Sequence, residues 1–313
     1  MVLYRLAVAT DHTDMVTTAA PVARVRAPID PLLIASMTAV FVIWGSTYLA
    51  ARIAVREIPP FTTACLRFVT AGAVMLLVAL RRGAKLPPLR DWLRVAPAGF
   101  LLFVCGNGFV VTAETTVASS GAAIVCAMMP LWMGVLGAVS GIRPTRREWL
   151  SLVVGFVGVV VLVGGPSLAG DRIDVVLLLL SPPSWALGSL LARRVKDVGG
   201  EHAGLVGPAL QMLVGGAMLA LVAAVRGEHI PAGVSAHAWL SVAYLAVFGS
   251  LVGFTAYSWL LRHARPVVAT SYAYVNPVIA VIIGAALYGE PIGPSTIVAN
   301  VLIGGAVMLA LRK

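Results

Sequence analysis

Ten stretches of predominantly apolar residues recur between residues 32 and 311, most close to the roughly 20 residues a helix needs to cross a bilayer. Inside hydrocarbon only a helix or a closed barrel satisfies its own backbone. The spacing predicts helices over 32–55, 61–80, 95–113, 119–139, 150–164, 175–192, 204–225, 239–261, 267–288 and 295–311. Composition agrees, since 59% of the 313 residues are apolar and only 12% charged. A soluble domain carries about 25% charged residues. Half the charge needed to cover a water-exposed surface is therefore missing, which excludes a soluble globular enzyme. The expected fold class is an all-α membrane protein of ten transmembrane helices.

Residues 1–31 mix Asp11, Asp14, Asp30, Arg24 and Arg26 with threonines and prolines and lack a compact apolar core, so they read as a disordered tail, with Met15 an alternative start. Cys65, Cys105 and Cys126 lie far apart inside apolar runs and form neither a disulfide framework nor a metal or redox pair. The five histidines all fall in polar segments between the runs. No P-loop string occurs, so energy from a nucleotide bound by this chain is not indicated. Neither a metal nor a cofactor is expected.

Charge sets the orientation. With a cytoplasmic N-terminus, the inside segments hold 18 of the 23 Lys and Arg residues, the outside ones only Arg52, Arg56, Arg172 and Arg226, and Arg67 lies within a span. This is a strong positive-inside bias. It predicts a multi-pass plasma (inner) membrane protein with both termini cytoplasmic. The high positive charge then reflects loops facing an anionic leaflet, so no nucleic-acid partner is needed.

The two halves echo one another. Trp44, Ser46 and Arg52 on the first helix correspond to Trp185 and neighbouring Ser189 and Arg193 on the sixth, with Trp44–Trp185 offset by 141; Arg67 matches Gln211 at 144; Pro130 matches Pro277, and Gly158 matches Gly305, at 147. The offset grows only by loop-sized steps, as a duplication should. Repeats of five spans, an odd number, insert with opposite orientation. The expected domains are therefore two inverted repeats, residues 32–166 and 171–313, after the tail 1–31. Inverted repeats suit a carrier working by alternating access.

The strings WGSTYLAAR, PPFTTACLRF, GNGFVVTAE, SGAAIVCAMMPLW, LQMLVGGAMLALVA, AYLAVFGSLVGFTAYSWLL and NPVIAVIIGAALYGEPI resemble the two EamA repeats of the drug/metabolite transporter superfamily, most closely its YedA-like exporters. The resemblance runs from about residue 33 to residue 312. It implies a ten-helix inner-membrane carrier of small organic solutes with a central cavity and both termini in the cytoplasm. One departure is that the Gly-Glu pair of this pattern, present at Gly289 and Glu290, is replaced in the first half by Ile142 and Arg143.

Among the spans Arg67 is the one ionised group placed clearly within hydrocarbon. A central arginine costs roughly 2.5–3.5 kcal/mol on insertion scales, so it must face protein or a wet cavity. One reading makes it an anchor for an anionic substrate group; the other makes it a structural arginine bonding loop carbonyls near the outer face. Gln211 would give the opposite half a polar but uncharged counterpart. Trp44, Ser46, Tyr48, Trp185, Ser189 and Tyr257 offer aromatic faces and hydroxyls suited to either an amphipathic cavity or helix packing. Asn107 lies toward the outer end of the third helix, near Glu114, which reads as a coupling carboxylate or a solvated loop acid. Tyr274 and Asn276 crowd the segment before Pro277, and Pro130 and Pro277 are expected to kink the fourth and ninth helices. The glycine pairs Gly137/Gly141 and Gly249/Gly253 allow close helix approach, leaving packing, sliding of the halves and a homodimer open.

The function expected is export of small metabolites or drugs through a cavity between the repeats, with the bilayer and a small-molecule substrate as partners. An importer or exchanger of sugar derivatives is the alternative, although phosphorylated sugars would need more than one cavity cation. A membrane-embedded lipid-modifying enzyme would need paired carboxylates, a metal cluster or an activated nucleophile near the interface. Here Asp and Glu occur in the tail, loops and helix ends, and the chain is not expected to be an enzyme.

Overall fold

The structure is a computed structural model that describes residues 30–113, 116–117, 119–164, 170–195, 197–288 and 293–312. Among the described residues it is all-helical, with no strand. The helical rods are α1 (Pro31–Val55), α2 (Pro60–Arg81), α3 (Leu89–Ala113), α4 (Ser119–Cys126 and Met129–Val139), α5 (Arg146–Val163), α6 (Arg172–Arg194), α7 (Ala203–Val225), α8 (Ala236–His263), α9 (Pro266–Thr270 and Tyr272–Tyr288) and α10 (Pro294–Leu311). Nine segments among the described residues are long and apolar enough to cross a membrane. The remaining rod, α5, carries Arg146, Arg147 and Glu148 in its first turn.

Local sequence explains most of the helix ends. Pro31, Pro60, Pro266 and Pro294 occupy first turns, where the missing N–H costs nothing. The side chains of Asp30, Asp171 and Ser235 accept backbone N–H groups at the starts of α1, α6 and α8. Thr145 and Glu148 form a reciprocal capping box on α5.

The helices α5, α6 and α8 begin three or four residues before the expected 150, 175 and 239, and three departures are larger. Helix α3 begins at Leu89, six residues before the expected 95, because its polar first turns with Arg90, Asp91 and Arg94 are helical too. The continuous helix expected over 119–139 is interrupted between Cys126 and Met129. Pro130 lies four residues after Cys126, whose carbonyl its ring would strike, and it starts the second piece. The ninth helix breaks at Ser271, six residues before Pro277, which sits inside a helical piece. At this break Thr270 Oγ1 and Ser271 Oγ donate to Pro266 O and Val268 O, at 2.9 and 2.8 Å. These side chains compete for backbone acceptors at the interruption.

Two helices widen into π-helical turns, α3 over Phe100–Gly108 and α8 over Leu245–Val252. Such turns shift the side-chain register and recur at functional sites.

Large apolar side chains point outward, with Leu221 66% and Val225 81% exposed. Water would penalise such a surface; hydrocarbon does not. Small residues mark the helix contacts, as at Ala64, Ala71 and Ala79 along α2. The most extensive pairings are α2 with α7 and α5 with α10. Helix α1 packs on α8 and α9, while α6 packs on α3 and α4.

Hydrogen bonds sort the loops into two ends. At one, Arg94 grips Asp197 at 3.0 and 3.1 Å, His202 donates to Arg82 O, Arg193 donates to Ala264 O, and Arg265 pairs with Glu148. At the other, Glu57 accepts from Ser235, Glu228 from the start of α2, and Asp174 from Thr116. The first is the cationic end, where α2, α4, α6 and α8 finish and α3, α5, α7 and α9 begin.

Candidate functional site

Helices α1, α2, α3, α4, α6, α8 and α9 enclose a cavity of about 210 Å³. Its deepest walls are aromatic. Trp44 and Trp185 meet with ring centroids 5.9 Å apart at 85°, and Tyr272 stands 4.6 Å from Trp44 at 84°. Phe103 and Phe254 continue the wall with centroids 5.1 Å apart. Edge-to-face contacts of this kind add roughly 0.5–1.5 kcal/mol each beyond area burial.

Glycines set the depth of both indoles. A Cβ on Gly253 would lie 2.5 Å from Trp44 Nε1, and one on Gly106 would lie 2.7 Å from Trp185 Cε3. Trp44 Nε1 donates to Gly249 O at 2.8 Å, so Gly249 and Gly253 together seat this ring. This pair therefore serves packing within the chain. Gly141 instead closes α4 with φ of 87°, and Ile142 N reaches back to Gly137 O at 2.8 Å.

Arg67 is the one charged residue among the described cavity-lining residues. Its Nε donates to Ser250 Oγ at 3.0 Å, and its guanidinium carbon lies 4.5 Å from the Phe68 ring centroid. No carboxylate among the described residues pairs with it. Ser250 is fully buried in the π-helical part of α8, and Asn107 lies in that of α3. The arginine thus bonds a side chain of the adjacent helix α8 and not loop carbonyls.

Asn276 lines the cavity at 4% exposure, and its Oδ1 has no hydrogen-bond partner among the described residues. The lining reaches Val55, Pro60 and Val111 at one extreme, so the cavity opens toward the α1–α2 turn. No lining residue comes from the last turns at the cationic end.

Of the residues singled out from sequence, Trp44, Arg67, Asn107, Trp185 and Asn276 share this cavity. Four others are not among its lining residues. Tyr257 is fully buried and exchanges a hydrogen bond with Ser189 at 2.7 Å while accepting from Trp185 Nε1 at 3.3 Å, so it buttresses that indole. Tyr274 donates to Leu152 O at 2.9 Å. Ser46 bonds Ile43 O and Tyr244, and Gln211 is buried on α7 beside Gly99. The Tyr48 side chain, Glu114, Gly289 and Glu290 lie outside the described residues. Sequence reasoning did not single out Phe103, Ser250 or Thr63; an apolar or hydroxylic residue carries no signal of its own until helix rotation is known.

The EamA-like transporter family model matches residues 32–164 and again 172–312. The chain belongs to this family. It is 39% identical over 283 residues to the uncharacterized inner membrane transporter YedA of Escherichia coli K12, covering 90% of this chain and 91% of that one. It is 24% identical to the uncharacterized transporter YvbV of Bacillus subtilis, with 87% and 89% covered, and 24% identical to protein PecM of Dickeya dadantii, with 85% and 88% covered. A solved chain superposes with a TM-score of 0.75 at 20% identity, over 89% of this chain and 96% of its own. The fold is thus one already seen in a crystal, and the chain is a membrane transporter of the EamA family.

Proposed function

We propose that this EamA-family protein is a secondary carrier that exports small organic molecules across the inner membrane by alternating access. The carrying observation is the cavity, built by helices of both halves, open toward the α1–α2 turn and closed at the cationic end. With the cationic end cytoplasmic, as the positive-inside rule directs, the state described is outward-facing.

Ten crossings arranged as two inverted five-helix repeats underlie this reading, with α5 the tenth. The exchange of first helices supports it, since α1 packs into the second half and α6 into the first. So does the pairing of equivalent helices, α2 with α7 and α5 with α10, as a pseudo-two-fold axis requires. The separate family matches to 32–164 and 172–312 follow the same division. Among the described residues no group of three or more His, Cys, Asp or Glu side chains is placed to hold a metal, which favours a carrier over a metal-dependent lipid enzyme.

The test is metabolite profiling of cells and medium for cells expressing the protein, an empty vector, or an Arg67→Ala, Asn276→Ala variant of equal membrane abundance. A compound enriched outside and depleted inside only with the intact protein is expected. Accumulation inside would reverse the direction, and a change confined to lipids would overturn the carrier.

A further inference from the structure

The geometry points to a substrate class: small organic monoanions whose carboxylate is received by Arg67 and whose apolar or aromatic body carries an N–H or O–H donor for Asn276. This deepens the carrier reading and rests on it.

Charge selects the anion. Arg67 spends Nε on Ser250, while Nη1 and Nη2 have no hydrogen-bond acceptor among the described residues. These atoms present the planar pair of donors that matches a carboxylate. Gly249 keeps that side open, because a Cβ there would stand 3.3 Å from Nη2. A lone guanidinium at membrane depth lacks its counter-charge until an anion enters. Because no second cation among the described residues lines the cavity, a dianionic phosphate would remain half-neutralised, and an organic cation would meet repulsion.

Asn276 selects a donor. A buried amide oxygen without a partner has lost its hydration with nothing in return, and an entering N–H or O–H donor relieves that penalty. The two groups lie at similar depth. Arg67 is seven residues into α2 from the open end and Asn276 ten residues into α9 from the cationic end. At 1.5 Å per residue these are about 10 and 15 Å into a core about 30 Å thick, within about 5 Å of one level.

Size and wall chemistry set the body. About 210 Å³ is below the roughly 300–1,000 Å³ of drug-sized sites, so the occupant is small. Trp44, Trp185, Tyr272, Phe103 and Phe254 offer ring faces and edges to an apolar or aromatic skeleton.

The test uses purified full-length protein, binding measured calorimetrically and transport measured by counterflow in proteoliposomes. The probes are 4-hydroxyphenylacetate, its neutral amide, tyramine as the cation, and phenylacetate, which lacks the phenol donor. Wild type should bind the acid at least about tenfold more tightly than the amide or the amine near pH 7. Arg67→Gln should abolish that preference, and Asn276→Ala should weaken 4-hydroxyphenylacetate while leaving phenylacetate within about twofold. Equal binding of acid and amide by wild type overturns the proposal without needing any variant, so misfolding of Arg67→Gln cannot shelter it. Loss of acid and amide binding in equal proportion in a folded Arg67→Gln also overturns it. Counterflow of tyramine or the amide without the acids leaves the carrier standing and removes this substrate class. Selective acid binding with no counterflow of any probe does the reverse.

Discussion

Trp44 and Trp185 meet edge to face at 5.9 Å, and each is seated on a glycine of the opposite half, Gly253 for Trp44 and Gly106 for Trp185. These glycines are 147 residues apart in sequence, the same interval that separates Pro130 from Pro277. The reciprocity locks the two indoles together where the halves meet in the cavity wall. A methyl group at either glycine must displace an indole ring, and overpacking of this kind costs about 1–3 kcal/mol. Gly253→Ala and Gly106→Ala should each lower the melting temperature in detergent and slow transport. Gly304→Ala, where a Cβ would meet nothing within 4 Å, should change neither.

The cationic end is closed by a latch between the halves. Arg265, half exposed, makes two hydrogen bonds to the buried Glu148 carboxylate and one to Arg143 O at 3.0 Å. Removing the arginine leaves a buried carboxylate dependent on Thr145 alone, and Arg265→Ala should cost the described state, closed at this end, about 1–3 kcal/mol. That corresponds to a population shift of roughly five- to 150-fold. Labelling of Cys126, which lines the cavity, by a membrane-impermeant maleimide applied from the α1–α2 side should slow accordingly in a variant lacking Cys65 and Cys105. Unchanged labelling would show that the pair does not govern opening.

Helix starts were legible to within a residue or so where an aspartate or a proline preceded an apolar run, as at Asp30 and Pro60, whereas the start capped by Ser235 lies three residues before the expected 239. The first turns of α3 were not legible, because Arg90, Asp91 and Arg94 read as loop until seen folded at the end of a bundle. Arg67 was legible as a residue facing protein or a wet cavity because a charge in a span demands a reason, but the sequence left its role open between the two. Its partner Ser250, 183 residues away, was not, since that meeting depends on the rotation imposed by the π-helical turn of α8. Tyr257, Tyr274 and Gln211 illustrate the opposite problem. Polar residues in apolar runs suggest a site, yet two of these three bond neighbouring helices, the third is buried on α7, and none is among the lining residues.

That distinction predicts different consequences for two residues two positions apart on α9. Tyr274→Phe loses a buried hydrogen bond to Leu152 O and should cost about 1 kcal/mol of stability while leaving substrate KM unchanged. Asn276→Ala, on the cavity side of the same helix, should raise KM with little change in melting temperature. Thermal melts and transport kinetics on both variants separate the two roles.

At the open end Glu57 accepts from Ser235 Oγ at 2.6 Å and from Ser235 N at 2.7 Å. These hydrogen bonds, the side-chain one foremost, hold its carboxyl below the ordinary 4.5. A depressed carboxyl contributes stability that is fully present above 4.5, begins to fade below it, and is gone once pH passes the lowered native value. The melting temperature of Glu57→Gln should therefore differ from wild type by a constant amount above this range and converge toward it as pH falls. A constant difference through the acid range would remove Glu57 from the linkage.

The placement of the arginines predicts an orientation that a reporter can test. Arg81, Arg82, Arg143, Arg146, Arg147, Arg193, Arg194, Arg262 and Arg265 all sit at the end that Arg265 and Glu148 close, whereas Arg56, Arg172 and Arg226 sit at the end toward which the cavity opens. Translocating the first set would oppose the positive-inside bias at loop after loop. A reporter fused in the Arg143 to Arg147 loop should therefore be active in the cytoplasm, and one in the Arg226 to Ser235 loop outside. Both results together would fix the described state as outward-facing; the reverse pair would make the same cavity inward-facing and turn the proposed direction of transport into an open contest between export and uptake.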